Sequence, residues 1–281
     1  MDFTYWADSK PNDLGKEVMK KVSRFNDWCE RTGMTSLWAR SIRMWHGLDG
    51  SGGWANSAAI TYGGQKGENV LMRVNHYRSI GQGIYSLVTS TRPSFAPRAT
   101  NNDPESIAQI PVAANVLDWY LGEGGIEVKA KRSLEMTLPL GWTWHEMSWD
   151  PNAGEPYTKD DTGNVVYKGD VRCDSHLPFN VAYDIDARLG DSDWVAVRRT
   201  ENKWELAALF PEQRDLILSS SGQVDPSDEA LQVFDNLTKN AGDSDRISVW
   251  HFYHKKTRAM PNGRYAIIVS SRTIFDAPLP Y

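Results

Sequence analysis

Several protein classes are excluded by what the sequence has little of. Its 281 residues hold two cysteines, Cys29 and Cys173, far apart and in no metal-like pairing. That rules out a disulfide-stapled scaffold and points to free thiols in a reducing compartment. No apolar run reaches the roughly 18 residues of a membrane-spanning helix, so no membrane partner is expected. The opening Met1-Asp2-Phe3-Thr4-Tyr5-Trp6 lacks the basic-then-apolar build of a signal peptide. Positive charge is not in excess: 31 Lys+Arg stand against 36 Asp+Glu, a formal net charge of −5, with pI 5.7. This argues against a domain that grips nucleic acid by neutralising phosphates, but not against a surface that DNA passes without being held. Internal repeats and low-complexity segments are absent.

Catalytic signatures are missing as well. Gly47 to Gly53 is glycine-rich but lacks a Gly-Lys-Ser/Thr ending and a preceding strand, and Gly63-Gly64-Gln65-Lys66-Gly67 has the wrong spacing for a phosphate loop. Gly81-Gln82-Gly83 falls inside a helical pattern. No Gly-x-Ser-x-Gly elbow and no reactive cysteine setting occurs. His145-Glu146, as neighbours on a strand, face opposite ways, and so do His251 and His254. Asp160-Asp161 and Asp243/Asp245 read as solvated turns. Cys173-Asp174-Ser175-His176 with Asp184-Ile185-Asp186 has metal-ligand residue types, but aspartates in such segments are more often turn and cap formers. No cofactor, no metal and no catalytic residue is therefore expected.

What is present is an average globular composition, 40% hydrophobic and 24% charged, enough for one large domain or two smaller ones. The 12 Trp suit wide, partly wet contact surfaces as well as a core. Arg73, Arg78 and Tyr77, or Arg198-Arg199 near Trp194 and Trp204, combine base and aromatic in a way that can touch nucleic acid; such residues are more often the solvated face of a packed element.

The first half reads as helices. Asn12 and Asp13 can cap a helix with the face Val18, Val22, Phe25 and Trp28, stopped at Gly33. A second carries Leu37, Trp38, Ile42 and Trp45 to Gly47, before a flexible loop to Gly53. A long helix is predicted from Val70 to Thr91, on Val70, Val74, Tyr77, Ile84 and Val88, broken by Arg92-Pro93. Asp103-Pro104 starts the next, with Ile107, Ile110, Ala114, Leu117 and Leu121 on its face, and another runs from Ile126 to Leu138, stopping at Pro139.

From Gly141 the period changes to alternation. Strands are predicted over Gly141–Trp149, Val165–Val171 and Trp194–Arg199, with a turn at Asp150 to Gly154. Short helices are expected at Lys203–Leu209 and Pro226–Leu237, the second capped by Asp225. A hairpin closes the sequence, Arg246–Tyr253 and Tyr265–Ile274 about Pro261-Asn262-Gly263. Residues 1–141 carry 16 basic and 14 acidic residues, and 142–281 carry 15 and 22. The expected fold class is α+β, with N-terminal helices followed by a mainly antiparallel strand-rich segment. The expected organisation is an arm with short helices at 1–68, a helical part at 69–140 and a strand-rich part at 141–281.

The order of segments carries a resemblance. Leu87-Val88-Thr89-Ser90-Thr91-Arg92-Pro93-Ser94-Phe95 is followed by Gly141-Trp142-Thr143-Trp144 and then by Trp149-Asp150-Pro151-Asn152-Ala153-Gly154-Glu155-Pro156. Next come Gly169-Asp170-Val171, Leu177-Pro178-Phe179-Asn180-Val181, Asp184-Ile185-Asp186-Ala187, Asp193-Trp194-Val195-Ala196-Val197 and Phe210-Pro211. Trp250-His251-Phe252-Tyr253-His254-Lys255-Lys256 leads to Ala277-Pro278-Leu279-Pro280-Tyr281. From about Val70 to Tyr281 this series resembles the N-terminal and wing part of a portal protein, the head-to-tail connector of a tailed bacteriophage. The resemblance implies a dodecameric ring of identical subunits at one capsid vertex of the virion, assembled in the host cytoplasm. Through it duplex DNA enters during packaging and leaves during ejection. Implied partners are the large terminase subunit, a head–tail adaptor, and scaffolding and major capsid proteins. No hydrolytic activity is implied. Arg92 and Arg98, flanking Pro93 and Pro97, are the candidate inter-subunit ion-pair residues. Family members continue into a clip, the second half of a stem, a tunnel loop and a crown, for which these residues show no counterpart. Two other readings stay open: a metal-dependent phage hydrolase around Asp174, His176, Asp184 and Asp186, and a tryptophan-rich glycan-binding tail module.

Overall fold

The computed structural model describes residues 5–47, 60–63, 69–72, 75–91, 94–159, 163, 165–187, 191–220 and 245–279, with the backbone alone in 60–63 and 69–72. The loop expected at 48–53, the glycine-rich 64–67, Arg73, Val74, Arg92-Pro93, Asp160-Asp161, Asp243 and the helix expected at Pro226–Leu237 with its Asp225 cap lie outside these residues. The fold is α+β. In chain order come α1 (Pro11–Arg31), α2 (Met34–Trp45), β1 (Ile60–Gly63), β2 (Asn69–Met72), α3 (His76–Thr89), α4 (Pro104–Gly122) and α5 (Ile126–Leu140). They are followed by β3 (Trp144–Asp150), β4 (Pro156–Lys159), β5 (Val165–Tyr167), β6 (Asp170–His176), β7 (Val181–Tyr183) and β8 (Trp194–Asn202). Then come α6 (Lys203–Leu209), α7 (Arg214–Ser219), β9 (Arg246–His254), β10 (Arg264–Val269) and β11 (Arg272–Ala277). The three expected segments are organised into two compact units, Met1–Ala59 with Pro178–Tyr281, and Ile60–Leu177.

The first unit is built on an antiparallel meander in the order β11-β10-β9-β8-β7. Alternation along β9 sends Ile247 and Val249 to one face, where they join Leu206, Ala207, Ile217, Ile267, Val269 and Ile274 in a core closed by α6 and α7. Phe252 and His254 point to the other face, onto Trp6, at ring separations of 5.7 and 6.3 Å. Helix α1 lies against β11 and β7 and buries Leu14, Val18, Val22, Phe25 and Cys29, residues three or four apart on one side of the helix. It starts earlier than expected, with Lys10 as cap and Pro11 in the first turn, a position where proline's fixed φ and missing N–H cost nothing. Gly33 and Gly47 adopt φ of +73° and +69°, so the two helices stop where glycine permits a left-handed residue.

A buried guanidinium ties the N-terminal segment to this sheet. Arg264 Nε and Nη2 donate to the two Asp276 carboxylate oxygens at 2.8 and 2.6 Å, and Nη1 donates to the carbonyls of Ala7 and Ser9 at 2.5 and 2.8 Å. Nearby, His254 is fully buried. Its Nδ1 donates to the Lys255 carbonyl, which can only accept, at 2.8 Å, and its Nε2 lies 2.8 Å from the Tyr5 hydroxyl. The single strand expected over Tyr265–Ile274 is two strands, because Ser270 and Ser271 take φ of 47° and 68° and turn the chain back.

In the second unit β1 and β2 form an antiparallel pair, so the helix expected from Val70 begins only at His76. Asn75 caps it by accepting the Arg78 N–H at 2.9 Å. Helix α5 passes through Pro139 to Leu140 and ends where Gly141 takes φ of +92°. It lies against α3, α4 and β6. Strand β3 pairs in full register with β6, and the small hairpin β4–β5 is inserted between them. The strand expected over Val165–Val171 is therefore broken at Gly169 (φ +78°), where the Trp149 indole lies against the backbone in space that a Cβ would need.

Candidate inter-subunit surface

Helices α3 and α4 carry more apolar residues than their own unit covers. On α3 the covered side is Gly81, Tyr85 and Thr89, spaced four apart. The apolar stripe Tyr77, Ile80, Ile84, Leu87 and Val88 points away from it, with Ile80 66% and Leu87 75% exposed. The spacing of three or four puts these side chains in one row along the helix. It overlaps the face expected to be buried, Val70, Val74, Tyr77, Ile84 and Val88; the helix forms from His76 rather than Val70, and Ile80, Ile84, Leu87 and Val88 on this side are exposed. Helix α4 repeats the pattern. Leu121 is buried and Ile110 and Ala114 are half-buried. Ile107, Val112, Val116, Leu117 and Trp119 remain exposed, Val112 by 63% and Trp119 by 51%. Its only charged side chains are Glu105 and Asp118. A helix apolar on nearly all sides is normally buried, and none here is long and apolar enough among the described residues to cross a membrane.

The β4–β5 hairpin is the second exposed feature. All seven of its strand residues are exposed, including Tyr157, Val165, Val166 and Tyr167. Its base is clamped: the Lys168 N–H donates to the Glu155 carbonyl at 3.0 Å and Gly169 N–H to that of Ala153 at 3.1 Å. Lys168 Nζ donates to the Glu155 carboxylate at 2.8 Å, which holds that carboxyl below the usual range. Beside the base, Met147 and Trp149 on β3 are also exposed. A two-stranded hairpin is at best marginally stable alone in water, and the clamp at the base supports this one.

The residues singled out from the sequence fall as follows. Arg98 is exposed in the extended stretch between α3 and α4 and has no ion pair among the described residues; Arg92 lies outside them. The candidate metal ligands are each engaged otherwise. Asp174 accepts from Arg172 Nε at 2.6 Å, His176 Nε2 lies 2.8 Å from a Glu146 oxygen, and Asp186 pairs with Arg24 at 2.9 Å. Asp184 accepts the Asp186 N–H in a turn, at 3.2 Å. Among the described residues no three His, Cys, Asp or Glu side chains are gathered to hold a metal ion. Arg198 is buried, stacked over Trp250 and donating to Asn180 Oδ1 and the Phe179 carbonyl, so it braces the sheet. Burial pushes the thiol of Cys173 above its ordinary value, the reverse of a reactive cysteine. His145 lies 3.2 Å from Ser133 and 3.3 Å from Ser175. His251 and His254 face opposite sides of the sheet as expected, and both are buried. Exposed tryptophans among the described residues, Trp119, Trp149 and Trp204, sit on three different elements.

Besides the Arg264 fork, sequence reasoning missed a second polar cluster. His251 Nε2 lies 2.9 Å from a Glu201 oxygen and its Nδ1 2.9 Å from the Tyr265 hydroxyl, with Tyr265 stacked on Tyr253 at 4.9 Å. The alternation of β8, β9 and β10 could have placed Glu201, His251 and Tyr265 on one face, but not their register. No model of a known protein family matches the chain, and no curated protein matches it.

Proposed function

We propose that this chain is the N-terminal and wing part of a portal subunit. Twelve copies would form a ring at one capsid vertex of a tailed bacteriophage, a conduit for genome packaging and ejection. The observation that carries the reading is the pair of outward apolar stripes on α3 and α4, which call for cover from another chain. The order of segments from Val70 to Tyr281 supplies the kind of assembly. The ring would also dock the large terminase subunit, a head–tail adaptor, and scaffolding and major capsid proteins, without hydrolysing anything itself. Net negative charge suits a wall along which duplex DNA must slide rather than stick. The metal-dependent hydrolase finds no support in side chains already engaged elsewhere, nor the glycan-binding module in tryptophans spread over three elements.

The test is assembly in solution. Sedimentation and native mass measurement of the purified protein should give a single closed oligomer, with negative-stain images showing a ring around a pore. A monomer or a two-fold dimer at every concentration would overturn the proposal. A metal-dependent hydrolytic turnover lost on Asp184→Ala or His176→Ala would return the hydrolase reading.

A further inference from the structure

We infer that Ser175 is a site of covalent acylation by activated acyl esters, its hydroxyl facing a base, the His145 imidazole, whose bare nitrogen is turned toward it by a relay of three hydroxyl groups. Strand register does the placing. Strands β3 and β6 pair in full register, and His145 stands directly opposite Ser175, so both side chains leave the same face with Cβ atoms about 4.5–5.5 Å apart. Both residues are exposed. Ser175 Oγ lies 3.3 Å from His145 Nδ1, the looser contact that a nucleophile and its base show before substrate binds. On the inner side, His145 Nε2 lies 3.2 Å from Ser133 Oγ on α5, and Ser133 is only 3% exposed.

Counting hydrogens gives the direction of each bond, because a hydroxyl has one to donate. Thr137 Oγ1 donates to the Ser133 carbonyl at 2.9 Å, so in its contact with Thr143 Oγ1 at 2.8 Å it accepts. Thr143 has then given its hydrogen, and it accepts from Ser133 Oγ at 2.7 Å. Ser133 in turn has none left for the imidazole and takes the hydrogen of Nε2. A neutral imidazole carries one N–H, so the bare nitrogen is Nδ1, the one that faces Ser175. In the transfer, Ser175 Oγ bonds to the acyl carbon while its hydrogen passes to Nδ1. The bond from the acyl carbon to the leaving oxygen breaks, and the leaving group departs as an alcohol or phenol with that hydrogen. A seryl ester and a neutral His145 remain, and nothing is oxidised or reduced.

The test treats the full chain with p-nitrophenyl acetate and maps acetylation residue by residue by mass spectrometry, with the lysines as internal reference. Ser175 should be acetylated about a hundredfold faster than Ser94, an exposed serine with no histidine beside it, since a positioned base contributes at least about that much. His145→Gln should remove most of this difference and leave the lysine rates unchanged. Thr143→Val frees the Ser133 hydrogen for Nε2, so the imidazole hydrogen should move to Nδ1. The nitrogen-15 shifts of His145 should then exchange and Ser175 acetylation should fall, whereas Thr143→Ser should keep the original tautomer and rate. Acetylation of Ser175 no faster than that of Ser94, or equally fast in His145→Gln, would overturn the proposal. A folded Thr143→Val protein with an unaltered His145 tautomer would overturn the relay.

Discussion

Replacing Leu87 on α3 separates a surface that waits for a partner from one that is merely exposed. Burying a leucine completely contributes about 1.5–3 kcal/mol relative to leaving it in water. Leu87 is 75% exposed in the single chain, so about three quarters of that gain, roughly 1–2 kcal/mol, is left to be realised at an interface. Leu87→Ala should therefore weaken each subunit contact by about tenfold. Leu87→Asp should weaken it further, because a carboxylate would lose water without gaining a partner. Folding of the chain itself should be unchanged to within about 0.5 kcal/mol, as for surface substitutions generally. Sedimentation velocity over a concentration series reads the first effect, and urea unfolding under dissociating conditions reads the second. Unaltered assembly of a folded Leu87→Asp protein would refute the reasoning. So would a loss of about 2–5 kcal/mol in chain stability for Leu87→Ala, the signature of a residue buried in its own core.

Arg264→Met strips Asp276 and the Ala7 and Ser9 carbonyls of their donor; it should cost about 3–5 kcal/mol in urea unfolding and expose the Tyr5–Ser9 segment to protease, whereas no change in either would contradict the buried fork. Gly15→Ala would place a Cβ 2.5 Å from the Ser271 carbonyl oxygen, where backbone meets backbone; despite alanine's better helix propensity, about 1 kcal/mol, a lowered thermal midpoint is expected, and a raised one would show that α1 does not approach the β10–β11 turn so closely. Burial raises Cys173 above 9.0 and Tyr5 and Tyr183 above 10.0. The folded state then holds these protons longer than the unfolded one, so stability present below about pH 9 should fall as pH rises through that range. Unfolding midpoints flat from pH 8 to 11 would contradict this.

The parts of the fold that were legible in the sequence are those decided locally. Helix periodicity with Gly33, Gly47 and Asp103-Pro104 marked α1, α2 and the start of α4, and alternation with Asp150 and Gly154 marked β3 and its turn. Where strand boundaries were misread, one or two positions carried the difference. Gly169 divides β5 from β6, and Ser270-Ser271, with two positive φ values, hides a turn that sequence statistics expect of glycine or asparagine. The exposed surface was only half legible. The stripe Tyr77, Ile84, Val88 announced a helix with an apolar face, but periodicity is blind to whether the cover comes from the same chain or another. The Arg264–Asp276 fork was hidden because it depends on strand register between residues 12 apart in sequence.

The account's central claim is that identical subunits close into a ring. Its most direct test is negative-stain class averaging of the purified assembly, with the particle mass measured on the same sample. The account predicts end-on views with twelve-fold symmetry around a pore wide enough for duplex DNA, and a mass of twelve subunits. Particles with two-fold symmetry, or a mass of one chain at every concentration, would contradict it.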